Sequence, residues 1–284
     1  MVGTSDLLGN HPFTKYATRH GPGRIGSTTR EQGTLRVMIE VDRLTKLYGG
    51  FTAVSELSFR VEPGEILGLV GPNGAGKTTT LRCLVGIIPP TKGRISIAGH
   101  ALDSEPLAAK REIAFIPDEP RLFDYLTVLE HLHFTARLYG VADRDDRARP
   151  LLEELELWDR RDALPPELSR GMKQKLQIAC GLVHSPRALA FDEPLTGLDP
   201  IGIRRIKETI VTRAREGASV IVSSHLLHLV EELCDRVLIL NHGRKVVHGS
   251  LEEISRTLPE MQADSNLEEI FLRVTGYTGG AGER

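Results

Sequence analysis

The sequence predicts an α/β fold: a mostly parallel sheet with helices on both faces and a helical subdomain inserted part-way along the chain. Three observations predict it. Strand-length apolar runs at 66–70, 188–191, 219–223 and 236–240 are separated by helical segments, the pattern of parallel strands joined by crossovers. The first of these runs ends in a glycine-rich turn that opens a helix. From about 127 to 181 the spacing turns helical, with Leu129, Leu132, Phe134 and Leu138, then Leu151, Leu152, Leu155 and Leu157.

In chain order, residues 1–37 carry six glycines and five Lys/Arg against two acids, with no sustained periodicity, and are expected to be disordered. They lack the apolar centre of a secretory signal and have the basic, acid-poor character of a transit peptide only faintly. The ordered pattern starts at Met38, Ile39, Glu40 and Val41, which makes Met38 the expected physiological start. Strands are expected at 37–44, 57–61 and 66–70, then a helix from Gly76 ended by Pro89 and Pro90, then strands at 94–98 and 113–116. The helical subdomain is expected at about 120–183 within a domain spanning 38–250, followed by a C-terminal helical extension and frayed tail over 251–284.

With 284 residues, 40% apolar and 26% charged, the chain has enough material for a large buried core. A formal charge of −2 gives no electrostatic case for nucleic acid. Cys83, Cys180 and Cys234 are widely spaced and read as small core residues of a reduced protein. The apolar runs are strand-sized, shorter than the roughly 18 residues of a membrane helix, so a membrane role requires a partner.

The turn after 66–70 reads Gly71, Pro72, Asn73, Gly74, Ala75, Gly76, Lys77, Thr78, Thr79. Small residues let backbone N–H groups converge on phosphate oxygens at a helix N-terminus. Lys77 adds a positive charge at the β/γ-phosphates, and the Thr78 hydroxyl is a ligand for Mg²⁺. The motif fixes nucleotide binding without fixing the class of enzyme. The strand 188–191 runs into Asp192 and Glu193, carboxylates at the strand's carboxyl end where an open parallel sheet places its ligand crevice. Asp192 is the candidate Mg²⁺ holder and Glu193 the candidate general base for an attacking water.

Shortly before that strand stands Leu168, Ser169, Arg170, Gly171, Met172, Lys173, Gln174. Here the chain resembles the ATP-binding cassette (ABC) family, whose signature Leu-Ser-Gly-Gly-Gln occupies this place, and the resemblance covers about residues 38–250. It implies a P-loop NTPase core with an N-terminal antiparallel β subdomain, and ATP with Mg²⁺ as ligands. Ser169 and Gly171 match the signature residues that contact the γ-phosphate held by another subunit; Arg170 and Met172 depart from the pattern. Ser169 is equally an N-cap. Thr196, Gly197, Leu198 and Asp199 resemble the family's D-loop at the dimer interface, with Asp199 also an N-cap before Pro200. His225 resembles the switch histidine, and Tyr48 the aromatic that stacks on adenine. The spacing of His225 and His228 would suit a metal, but no third ligand accompanies them.

Asp118 stands where the family commonly has a glutamine that touches Mg²⁺ and the attacking water; it is shorter and charged, with Glu119 as an alternative. Leu122, Phe123, Tyr125 and Leu126 form either an apolar socket for a permease helix or subdomain core. Residues 266–276 resemble the closing helix of single-cassette subunits of exporters. The resemblance therefore implies an ATPase subunit, paired with a second copy or a homologous ATPase subunit, on the cytoplasmic face of the membrane through a separately encoded permease. The alternatives are an importer subunit, or a soluble ABC ATPase acting on ribosomes or DNA. The second is disfavoured by the single cassette, the lack of sustained heptads and the lack of a basic patch.

Overall fold

The computed structural model describes residues 37–257 and 266–276. The disorder expected for 1–37 therefore falls, except for Val37, outside the described residues, as does the frayed tail beyond 276. The strands are β1 (Ile39–Tyr48), β2 (Phe51–Val61), β3 (Ile66–Val70), β4 (Lys92–Ile97), β5 (His100–Ala101), β6 (Ile113–Ile116), β7 (Ala188–Asp192), β8 (Ser219–Ser223), β9 (Arg236–Asn241) and β10 (Arg244–Gly249). The helices are α1 (Lys77–Leu84), α2 (Pro106–Arg111), α3 (Val128–Leu138), α4 (Arg144–Glu154), α5 (Arg170–Leu182), α6 (Pro200–Arg215), α7 (Leu227–Leu233), α8 (Leu251–Thr257) and α9 (Leu267–Thr275).

Two sheets result. A four-stranded antiparallel sheet runs β2-β1-β4-β5, and a six-stranded sheet runs β10-β9-β3-β8-β7-β6, with β10 antiparallel to β9 and the rest parallel. All five residues of β3, β7 and β8 are buried, as expected of central strands covered on both faces. The order β3-β8-β7 sets the carboxyl ends of these strands side by side, and the register pairs both Leu69 and Asp192 with Ser223. That adjacency builds the site.

Helices α3, α4 and α5 lie on the crossover between the neighbouring parallel strands β6 and β7. Their apolar faces share one core with the sheet, in which Val128, Leu132, Ala148, Leu152 and Leu176 join Phe191 and Ile206. A Thr127–Glu130 capping box fixes the start of α3. The C-terminal α9 buries Leu267, Ile270 and Phe271 against Val70, Val230, Val237 and Ile239, so its packing reaches the residue that precedes the glycine-rich turn.

Several element boundaries differ from the sequence expectation. The helix after the glycine-rich turn stops at Leu84, because Ile87 N–H and Ile88 N–H both fold back onto the Arg82 carbonyl. Strands β1 and β2 form one long hairpin, reaching Tyr48 and beginning at Phe51. Register shifts between Val41 and Lys46, with Arg43 and Glu56 at positive φ, break the alternation that a strand reading depends on. Strands β5 and β10 and helix α2 were not anticipated; each is short or lacks a clear apolar period.

One packing feature makes stability depend on pH. The His184 ring stacks on Tyr139 with centroids 3.7 Å apart, and neither of its ring nitrogens has a hydrogen-bond partner. Burial pushes its pKa down to about 4, and that of His248 to about 4 as well. The unfolded chain, with histidines near their ordinary 6.5, takes up these protons first on acidification. The stability present above that value is therefore expected to drain away as pH falls from about 6.5 toward about 4. Unfolding midpoints measured across that range should fall, and should fall less steeply in His184→Leu; a profile unchanged by that substitution would count against the assignment.

Candidate functional site

The site starts from β3, whose buried run delivers the chain into the glycine-rich turn. Gly76, at φ 100, has no room for a side chain: a Cβ there would lie 2.6 Å from the Ala53 carbonyl oxygen. The antiparallel sheet thus abuts the turn through β2, and Ser55 N–H donates to the Gly243 carbonyl beside the same contact. Lys77 opens α1 and is buried; its Nζ donates to the Gly71 carbonyl at 2.8 Å and to the Pro72 carbonyl at 3.4 Å. Burial lowers its pKa, opposed by the charges of Glu193 and Asp192.

The carboxylates come from β7. Asp192 is only 4% exposed, and its Oδ1 accepts from Thr78 Oγ1 at 3.1 Å and from Ser223 Oγ at 2.7 Å. Glu193 follows at φ 51, a left-handed conformation costly for a non-glycine residue and concentrated at functional sites. Its N–H donates to the Ser223 carbonyl at 3.1 Å and lies 3.2 Å from Ser223 Oγ, which holds the turn in place. Glu193 Oε2 meets His225 Nδ1 at 2.8 Å and His225 N–H at 3.3 Å. The carboxylate is 16% exposed and the histidine 51%, so the pair sits at the mouth of the crevice.

A cleft of about 190 Å³ opens here, lined by Thr78, Arg82, Phe115, Pro117, Asp118, Glu119, Arg121, Asp192 and Glu193. Asp118 Oδ1 is buried in it without a hydrogen-bond partner. Thr78, Asp192 and Asp118 thus supply an all-oxygen donor set. Among the described residues no three His, Cys, Asp or Glu side chains are placed to cage a metal by themselves. Both facts fit Mg²⁺, which binds through one or two carboxylates while keeping water and phosphate ligands.

The structure therefore gathers residues 71–79, Asp118, Asp192, Glu193 and His225. Ser169, Gly171 and Asp199 gather elsewhere: Ser169 Oγ caps α5 by accepting from Met172 N–H at 3.3 Å, and Asp199 Oδ1 caps α6 by accepting from Gly202 N–H at 2.7 Å. Gly171 faces Leu198, and no hydrogen bond among the described residues joins this group to the phosphate loop. Tyr48 ends β1 with a half-exposed ring, 5.1 Å from Lys46 Nζ. Sequence reasoning missed Ser223, which secures both Asp192 and Glu193, and the cleft arginines Arg82 and Arg121. The available signal for Ser223 was its place at the end of a strand leading to His225.

The sequence profile of the ABC transporter family matches residues 54–196. The ABC-type transporter ATP-binding protein EcsA of Bacillus subtilis is 36% identical over 239 residues, covering 82% of this chain and 96% of its own. The chain belongs to the ABC transporter family. Within that family, the Nod factor export ATP-binding protein I of Burkholderia thailandensis is 38% identical over 82% of this chain and 76% of its own length. An ATP-binding cassette solved as a dimer in a post-hydrolysis state, with ADP and Pi bound, is 25% identical, with a TM-score of 0.70 over 75% of this chain and 98% of that one. This ABC subunit is an ATPase whose hydrolysis is coupled to transport. None of its described helices is long and apolar enough to cross a membrane.

Proposed function

We propose that the chain energises a separately encoded export permease from the cytoplasmic face of the membrane. It would do so by closing with a second copy, or a homologous subunit, around two ATP molecules. The observation that carries this reading is the division of the site: the phosphate loop and carboxylates converge at one place, while Ser169 and Asp199 cap helices at another, with Gly171 against Leu198 between them. The dimeric relative with bound ADP and Pi supports pairing, and the relative named for Nod factor export supports the direction.

In this reading the turn's N–H groups and Lys77 bind the β/γ-phosphates, and Tyr48 offers its exposed face to the base. Mg²⁺, held by Thr78 and Asp192 with Asp118 beside them, would neutralise charge on the phosphates when bound. Glu193 orients the attacking water and accepts its proton; His225, at 2.8 Å, and Ser223 hold that carboxylate and its backbone in place. Ser169 and the N-terminus of α5 present a hydroxyl and backbone donors to the nucleotide held by the other copy. Positioning and charge stabilisation supply most of the acceleration. Tighter binding of ATP than ADP to the closed pair converts hydrolysis into motion.

The permease contact lies on the helical crossover. Of the four residues proposed as a socket, Leu122 packs against the core, whereas Phe123 is 56% and Tyr125 92% exposed. Phe123 meets Phe134 edge to face at 5.4 Å, and Leu138 extends the exposed apolar surface. Affinity purification from detergent-solubilised membranes should recover an integral membrane partner. Phe123→Ser combined with Tyr125→Ser should cut that recovery at least about tenfold while ATP affinity is unchanged, as expected for central aromatic anchors. Recovery with ribosomes or DNA alone would overturn the reading.

A further inference from the structure

Arg170 is the residue at which the signature segment departs most in size and charge from the family pattern, and the structure shows where its side chain goes. A Cβ built on Gly197 would lie 2.9 Å from Arg170 Cζ, 3.0 Å from Nη1 and 3.1 Å from Nε. Because Cζ is the nearest of the three, the glycine sits over the face of the guanidinium, not at its hydrogen-bonding edge. One residue along, a Cβ on Gly171 would lie 3.4 Å from Leu198 Cδ2, so the first turn of α5 and the 196–199 loop run in contact over two consecutive positions. The same loop is tied at one end to the backbone of the residue that bears the reacting carboxylate, through Thr196 N–H to the Glu193 main-chain carbonyl at 3.2 Å. At its other end it is tied to α6, through the Asp199 cap.

We propose that Arg170 is a positioning residue: its guanidinium plane, laid on Gly197, locks the N-terminus of α5, with Ser169, to the loop that follows Glu193. The inference rests on the two-copy reading above for its consequence. Within one chain, Ser169 serves the nucleotide of the other copy and Glu193 serves its own, and the Arg170–Gly197 contact joins the two. Arg170 and Gly197 are both exposed in the single chain, and a displacement of the loop when Glu193's site changes occupancy is carried to the signature helix through the guanidinium plane resting on Gly197. Gly197 fits this role at φ 74, which disfavours side chains, and a Cβ there would collide with the guanidinium. Among the described residues no ion pair engages Arg170, so the contact is one of shape.

The test is a double-mutant cycle of Arg170→Ala and Gly197→Ala in a Glu193→Gln background, with ATP-dependent dimerisation followed by sedimentation. Arg170→Ala should raise the protein concentration at half-dimerisation by about three- to thirtyfold. Affinity for a fluorescent ATP analogue, measured on dilute single chains, should stay within about twofold, since the phosphate loop is not touched. Gly197→Ala should be more harmful when Arg170 is present than when it is Ala, the strain at φ 74 being common to both and the contact with the guanidinium being lost in the second. Arg170→Lys, which keeps the charge and loses the plane, should behave like Ala. Full function of Arg170→Lys, an additive cycle, or no shift in Arg170→Ala would each overturn the proposal. Should the Glu193→Gln chain with Arg170 intact bind ATP yet never dimerise, the two-copy reading fails instead. The same cycle read by thermal unfolding then decides the Arg170–Gly197 contact.

Discussion

Glu193→Gln is expected to bind ATP with near-normal affinity, to hydrolyse it about 10²- to 10⁴-fold more slowly, and to accumulate as a nucleotide-dependent dimer. The amide matches the carboxylate in shape, so the left-handed turn and the bond from His225 N–H can persist. What disappears is the proton acceptor. Lys77, Thr78 and Asp192 keep their contacts, which is why binding should survive while turnover does not. Phosphate release under saturating ATP, combined with sedimentation with and without nucleotide, measures both effects. Retention of near-normal turnover would remove Glu193 from the role of general base.

Lys77→Ala should weaken binding at the outset. The ammonium is buried, already drawn toward the turn by the Gly71 and Pro72 carbonyls, and close enough to Glu193 and Asp192 for their charges to act on it. Removing it deletes the one charged side chain of the phosphate loop and leaves two carboxylates near the phosphates uncompensated. Deleting a buried ammonium that would donate to a phosphate costs about 2–5 kcal/mol of binding, which corresponds to a loss of roughly thirtyfold or more in affinity. Bound nucleotide raises stability as the logarithm of one plus the ratio of ligand concentration to Kd, so millimolar ATP should shift the unfolding midpoint of Lys77→Ala much less than that of the unchanged chain. An undiminished shift would show that the backbone N–H groups suffice.

Much of this site was legible in the sequence because its main parts are contiguous. Residues 71–79 carry strand end, turn and helix start in one stretch, and Asp192 and Glu193 end an apolar run whose direction sets where they emerge. Their local context is nearly all the information required. The 120–183 segment was legible as helical for the same reason: α3 and α5 carry apolar periods and recognisable caps. The hairpin β1–β2 was only half legible, because bulges at Arg43 and Glu56 interrupt the period on which strand reading depends.

Ser223 was hidden for a different reason. Its importance comes from being the neighbour of Asp192 across β7 and β8, a pairing between positions 31 residues apart that no local pattern encodes. The same holds for the unpartnered Asp118 Oδ1 and for the face of Arg170 against Gly197. The sequence by itself determined that this chain binds a nucleotide by its phosphates, places carboxylates at a strand end and carries a signature segment, because those properties follow from residue type at short range. Only the tertiary structure decided which side chains hold the carboxylates and which way Arg170 points. Strand order and helix packing set those contacts, and both are long-range consequences of burying the apolar faces together.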